Sequence, residues 1–191
     1  RQPVSEDPGE WRLVGGTTSR TGSAARAHLR DRARKLVGDN PHACNILRLL
    51  EAYVTGPGLQ LTHQVRADSQ RRGQRWIRVA DRLWQDFLEA NGRHYSFREH
   101  ARRTWRDGEC FIRKFPQSQW PPQVRFIDPE LIAPSAEDPD SQGIITDPDD
   151  VEHPLCYLKR LPQDSSRGER ISAEDILHSR TRTDANEKRG I

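Results

Sequence analysis

The sequence predicts an α+β fold, in which N-terminal helices are followed by a small, mainly antiparallel β region. Before Gly108, apolar residues recur at helical spacing. After Gly108, short apolar runs alternate with turns that contain Pro and Gly. Gly108 lies where the period changes, and glycine readily takes the left-handed backbone that ends a helix. We therefore expect an extended arm over 1–23, a helical part over 24–108 and a β-rich part over 109–191.

The first helix is predicted over 24–37 and is ended by Gly38. Its apolar stripe is thin, and basic residues cover the rest of its surface. We interpret these basic residues as a solvated face, with contact to phosphates or to an acidic subunit as the alternative. The stripe consists of Ala25, Leu29, Ala33 and Leu36.

Asn40 and Pro41 begin a second helix, as an N-cap followed by proline at the first helical position. This helix, which runs to Val54, is the most apolar in the chain, and we expect it to lie in the core. A short strand is predicted over 59–65, where apolar residues alternate.

A third helix is predicted over 74–90, with one face formed by Trp76, Ala80, Leu83, Trp84 and Phe87. We expect this face to be part of the core, and stacking of its tryptophans on bases is the alternative.

A capping box formed by Ser96 and Glu99 begins the fourth helix, in which each side chain satisfies an open backbone donor. The helix turns through Asp107 and Gly108 into a strand that contains Phe111 and Ile112. This junction joins the helical part to the β-rich part.

The β-rich part is divided by turn residues. Asp128 and Pro129 form a turn at the end of a strand over 123–127. A turn is also predicted over 164–168, and a single helical turn over 172–175 leads into a strand over 176–178. The other strands are predicted over 143–146 and 155–161.

Composition points to a subunit or a piece of a larger protein. Hydrophobic residues make up 33 % and charged residues 31 % of the chain, which is a low apolar share for a self-sufficient core. The chain has no Met and begins with Arg1. We therefore expect the fold to be incomplete without the rest of a longer chain, continuing beyond 191. The three cysteines are widely separated and show no metal-binding spacing.

Charge is distributed unevenly, although the net charge is only +3. Basic residues concentrate in 20–35, 66–82 and 93–114, and acidic residues in 137–152. Eight arginines are candidates for contact with DNA phosphates or with another subunit. They are Arg71, Arg72, Arg75, Arg78, Arg82, Arg102, Arg103 and Arg106.

No recognised catalytic motif is present in the sequence, so we predict no catalytic residues, no bound metal and no cofactor. The best enzymatic alternative is a metal-dependent nuclease, in which Asp128 and the acids of 137–152 hold Mg²⁺. A solvated acidic loop is the simpler interpretation, because these acids lie among prolines rather than on a strand framework.

Four segments, taken in order, resemble the lambda-like portal proteins of tailed bacteriophages. The second is the helix break that begins at Trp105-Arg106-Asp107-Gly108, and the third contains Phe126-Ile127-Asp128-Pro129. The segments are 32–59, 105–112, 124–132 and 171–178, the last followed by 188–191.

This resemblance implies the N-terminal part of a portal wing, with the stem, clip and tunnel loop beyond residue 191. Portal proteins form a ring, commonly of twelve subunits, at one vertex of the capsid, and DNA enters and leaves through the channel. The implied partners are other copies of the chain, the major capsid protein, terminase large subunit, head–tail connector proteins and double-stranded DNA. The implied location is the virion, after assembly in the host cytoplasm.

The resemblance also singles out positions with an expected structural role. Gly108 would stop the helix, Asp128 and Pro129 would form the strand-end turn, and His178 with Arg189 and Gly190 would lie near a subunit or stem junction. The full set is Asp107, Gly108, Asp128, Pro129, His178, Arg189 and Gly190. The alternatives are a stand-alone basic nucleic-acid-binding module and the nuclease described above.

Overall fold

The computed structural model confirms the predicted α+β arrangement, and the residues that it describes form four α-helices followed by two small antiparallel sheets. It describes residues 22–58, 61–62, 64, 70–115, 120–135, 141–161, 164–181 and 188–190, with the backbone alone for 70–72 and 164–167. The predicted arm over 1–23 lies almost entirely outside the described residues. So does most of the predicted strand over 59–65, and its described residues Leu61, Thr62 and Gln64 are not in a strand.

The helices begin and end close to their sequence signals. They are α1 (Ser23–Asp39), α2 (Pro41–Thr55), α3 (Gln70–Asn91) and α4 (Phe97–Asp107). The Asn40 side chain accepts hydrogen bonds from the backbone of His42 and Ala43. The Ser96 hydroxyl accepts one from the Glu99 backbone N–H. Helix α3 begins at Gln70, before the predicted start at residue 74.

Six strands form two three-stranded sheets with every neighbouring pair antiparallel. The first sheet has the order β2-β1-β6, and the second has the order β3-β4-β5. The predicted turn over 164–168 is wrong, because these residues form the first part of β5, paired with β4. The strands are β1 (Glu109–Phe115), β2 (Gln123–Ile127), β3 (Ile144–Thr146), β4 (Pro154–Leu161), β5 (Asp164–Ser172) and β6 (Ile176–Arg180).

Strand β1 is buried on both faces because it lies between the helices and the second sheet. Phe111 packs with residues of both sheets, including Ile144 and Tyr157. Its neighbours Cys110 and Ile112 point to the opposite face, where Val124 and aromatic side chains cover them. This is the alternation expected of a strand, and it places β1 at the centre of the fold.

The first helix is oriented differently from the sequence-based expectation. Arg26 and Arg30 are buried, whereas Leu29 and Leu36 of the predicted apolar stripe are exposed. The interpretation of these arginines as solvated was therefore wrong. Two buried acids at the junction of α4 and β1, Asp107 and Glu109, bind Arg34 and Arg30 and hold this face of α1 inward.

The second helix is not the core helix that its composition predicted. Leu47 is its buried apolar residue, whereas Ile46 is 60 % exposed and Tyr53 is 87 % exposed. Leu49 and Val54 are also exposed. Much of the apolar surface of α2 is therefore exposed to solvent in the part of the chain that the structure describes.

Helix α3 is attached to the sheet through its C-terminal end. Trp84 stacks on Phe87 and Phe97, while Trp76 is 69 % exposed, contrary to the expected core role. The buried Asn91 amide donates to the Phe87 and Pro122 carbonyls, and its oxygen accepts from the Val124 backbone N–H. One side chain therefore closes the helix and fixes it to β2.

We expect Asn91→Ala to lower the free energy of unfolding by about 2–3 kcal/mol, because it leaves the buried Val124 N–H and the Pro122 carbonyl without partners. Urea unfolding monitored by circular dichroism would measure the change. The matched control is Asn45→Ala on α2, where the side chain is exposed and we expect almost no change. Equal stabilities for the two variants would contradict the bridging role.

Candidate functional site

A buried carboxylate, Glu109, lies at the first residue of β1 and is fully inaccessible to solvent. Three cationic or ionisable groups from distant parts of the chain contact it. Arg30 of α1 donates to Oε1 at 2.7 Å, His178 of β6 contacts Oε2 at 3.2 Å, and Arg189 donates to both oxygens. We call these four side chains the Glu109 network.

All three guanidinium nitrogens of Arg189 donate hydrogen bonds. Besides Glu109, it donates to the backbone carbonyls of Pro129, Ile132 and Gln142, at 2.8–3.0 Å. Its guanidinium also lies over the Phe111 ring. Because a buried guanidinium must satisfy five donors, this set of acceptors explains how the arginine is accommodated with only 3 % exposure.

Gly190 follows Arg189 in a space that admits no side chain. Its backbone N–H donates to Glu109 at 3.2 Å, and a Cβ at this position would overlap the Gly108 carbonyl oxygen. Gly108 in turn has a left-handed φ of 79° as the C-cap of α4, and its carbonyl accepts from Thr181. The chain near 190 therefore lies against the junction of α4 and β1.

The electrostatics of the Glu109 network are set by burial and by opposite charges. Burial by itself raises the pKa of Glu109, but hydrogen bonds and charges from His178 and Arg189 lower it to about 2. Burial lowers the pKa of His178 despite the nearby carboxylate. With neutral His178, Glu109 and Glu130 balance the charges of Arg30 and Arg189, since Arg30 also donates to Glu130.

A second charged cluster adjoins the first at the end of α4. Asp107 is buried and receives paired hydrogen bonds from Arg34 and from Arg106. Arg34 also reaches Asp128, at 3.2 Å. Burial raises the pKa of Asp107, but the two arginines outweigh it and lower this pKa overall. Two carboxylates and two guanidiniums again balance in charge.

The structure brings together the positions that the resemblance singled out along the chain. Asp128 follows β2, and its carboxylate accepts from the Glu130 backbone N–H at the start of a 3₁₀ turn, Pro129–Leu131. His178 stacks on Phe111 with ring centroids 4.1 Å apart. All of these positions lie in or beside the two charged clusters: Asp107, Gly108, Asp128, Pro129, His178, Arg189 and Gly190.

Sequence reasoning missed three members of these clusters: Arg30, Arg34 and Glu109. A signal was present, because Arg26, Arg30 and Arg34 recur every four residues and therefore share one helix face. A glutamate at the head of the apolar run Cys110–Ile112 was a second signal, since an acid in a buried strand needs cationic partners.

The eight candidate contact arginines fall into two groups. On α4, Arg102 pairs with Glu51, Arg103 pairs with Glu99, and Arg106 pairs with Asp107. On α3, Arg75, Arg78 and Arg82 are exposed, and within the described residues they form no ion pair. The side chains of Arg71 and Arg72 lie outside the described residues.

The nuclease alternative gains no support from the described residues. Among them, no group of three or more His, Cys, Asp or Glu side chains is placed to hold a metal ion. Asp128, its proposed first ligand, contacts Arg34 and the Glu130 backbone. Glu137, Asp138 and Asp140 lie outside the described residues.

We expect Glu109→Gln to lower the free energy of unfolding by about 3–5 kcal/mol, because it leaves buried Arg30 and Arg189 without a compensating charge. Urea unfolding of the variant against the wild type would measure this. Glu130→Gln is the matched control, since Glu130 also binds Arg30 but is 42 % exposed, and it should cost less than about 1 kcal/mol. Similar losses of stability in both variants would show that the stability does not depend on the burial of Glu109 and its arginine partners.

We also expect stability to fall with acidification. A carboxylate whose pKa is lowered to about 2 stabilises the fold fully above its unfolded pKa of 4.5. That contribution, about 3 kcal/mol, is lost as pH falls from about 5 towards 2. Neutral His178 acts in the same direction, because its lowered pKa makes the unfolded chain bind more protons below about pH 6.5.

Urea unfolding at pH 7, 5 and 3 would measure this pH dependence. Glu109→Gln should flatten the decline between pH 5 and pH 3, and Glu130→Gln should keep it. A wild-type free energy of unfolding that is unchanged from pH 5 to pH 3 would contradict the assignment.

Among the described residues, no helix is both long and apolar enough to cross a membrane.

Comparison with known proteins indicates the family to which the chain belongs. No curated protein matches the chain. A family model described as phage portal protein, lambda family, matches residues 6–191, which is nearly the whole sequence and includes every residue of both charged clusters. The chain therefore belongs to the lambda family of phage portal proteins.

Proposed function

We propose that the chain is a subunit of the portal ring at the unique vertex of a phage capsid. In this role, DNA is packaged and ejected through the ring, while terminase and later the head–tail connector proteins dock on it. The family match over residues 6–191 is the observation that carries the proposal. The protein then has a structural task rather than a catalytic one.

The uncovered apolar surface of the helices supports assembly into a larger body. Tyr53, Ile46 and Val54 of α2 are more than half exposed, as is Leu36 of α1. Exposed apolar patches of this kind mark surfaces that other molecules cover. A head-to-tail contact between copies, repeated around a closed ring, would cover such a surface on every subunit.

We propose that the division of the chain follows the same role. Residues 24–108 and 109–191 would be the helical and β-rich parts of the portal wing, and residues 1–23 would be an arm laid across a neighbouring subunit. The change from helices to strands between Asp107 and Glu109 supports the first part of this proposal. The capsid protein and double-stranded DNA would be further partners in the virion.

The mass of the full-length protein in solution tests the proposal. We expect native mass spectrometry to show a closed ring of one defined subunit number, visible as rings in negative-stain images. A monomer that persists at high concentration, with no rings in the images, would overturn the proposed function. Steeply salt-dependent DNA binding by such a monomer would favour the nucleic-acid-binding alternative instead.

A further inference from the structure

The outer face of α3 carries charge and apolar surface side by side. Arg75, Arg78 and Arg82 lie at spacings of three and four residues, so they share one side of the helix. Next to them, three large apolar side chains are exposed: Trp76, Val79 and Leu83. We call these six residues the α3 outer face.

A second surface has the opposite charge with a similar apolar content. The segment 147–153 joins β3 to β4 and carries exposed Asp149, Asp150 and Glu152. Val151 and the nearby Leu155 are exposed between and beside these acids. We call this segment with Leu155 the acidic turn.

The acidic turn is held in shape by its own hydrogen bonds. The Asp147 N–H donates to the His153 carbonyl at 2.9 Å, and the His153 N–H donates to the Asp150 carbonyl. The Asp147 and Asp150 carboxylates accept from the backbone N–H groups of Asp149 and Glu152. A surface that is already ordered loses little conformational entropy when it binds a partner.

The two surfaces belong to segments that are attached to opposite edge strands of the first sheet, whose strand order is β2-β1-β6. Helix α3 is fixed to β2 through Asn91. The acidic turn reaches β6, where Glu152 lies 3.6 Å from Arg180. The central strand β1 lies between these two points of attachment, so the two surfaces are separate. A head-to-tail contact between copies joins two different surfaces of this kind.

We infer that the α3 outer face of one subunit binds the acidic turn of the next subunit in the ring. The arginines then meet Asp149, Asp150 and Glu152, while Trp76, Val79 and Leu83 cover Val151 and Leu155. Arginine and tryptophan are the residues that contribute most at protein interfaces. This inference rests on the proposed function, because it assumes that the chain forms a ring.

The apolar half of the α3 outer face favours a protein partner over DNA. Phosphate contacts use basic side chains, and stacking on bases would account for exposed Trp76 but not for exposed Val79 and Leu83 beside it.

The three acids of α3 also matter: Asp81 lies between Arg78 and Arg82 in the sequence, and Asp86 and Glu89 lie towards the end that is fixed to β2. The basic surface is therefore short, and a short acidic segment suffices to match it.

A charge swap tests this interface in the full-length protein. One variant carries Arg78→Glu and Arg82→Glu, and the other carries Asp149→Lys and Glu152→Lys. The second pair leaves Asp147 and Asp150 in place, because their carboxylates order the turn. Native mass spectrometry measures the ring population, and thermal melting by circular dichroism shows that each variant is folded.

We expect each variant alone to lose the ring, because like charges then face each other across every interface. The protein with all four substitutions should regain the ring, since the charges are again complementary. An equimolar mixture of the two variants should form complexes that contain both. The matched control reverses two exposed arginines elsewhere, Arg32→Glu and Arg160→Glu, and should assemble as the wild type does.

Two results would overturn the inference while leaving the proposed function intact. In the first, wild type forms rings and Arg78→Glu with Arg82→Glu forms them equally well. If that variant also binds duplex DNA more weakly, then α3 faces DNA instead. In the second, both variants are folded and ring-free, yet the four-substitution protein does not recover. Absence of rings in the wild type would instead overturn the proposed function.

Discussion

The carboxylate of Glu109 has to be matched by cations because it is completely removed from water. Removing an isolated charge of this kind from water costs several kcal/mol of desolvation free energy. Two guanidiniums and a histidine offset that cost when the fold places them around the carboxylate. Arg30, His178 and Arg189 come from α1, β6 and the segment near residue 190. One desolvated group thus fixes the relative positions of segments that are distant along the chain.

The same constraint explains the exposed apolar surface of the helices. Once Arg30 and Arg34 turn inward to Glu109 and Asp107, the geometry of α1 requires Leu29 and Leu36 to face outward. In an isolated globular protein this arrangement would leave apolar surface in contact with water, where it gives no hydrophobic stabilisation. In the proposed ring, the charged face of α1 would remain in the interior of the subunit and its apolar face would be available for contact with a neighbouring subunit.

Local signals in the sequence were sufficient to predict the helix boundaries and most of the strands. The cap at Asn40, the cap at Ser96 and the glycine at 108 act within a few residues, so their effects follow from the sequence alone. Strand β5 was missed entirely, because its pairing with β4 is a tertiary contact and the residues at 164–168 predict a turn.

The sequence by itself determined the α+β class and the break of the chain at Gly108. Only the tertiary structure decided which charges are buried, because Glu109 and Arg30 are 79 residues apart and no local pattern relates them. Burial depends on which faces meet, and each helix offers both a charged face and an apolar one. The charged face of α1 lies towards the interior because Arg30 and Arg34 pair there with the buried carboxylates of Glu109 and Asp107.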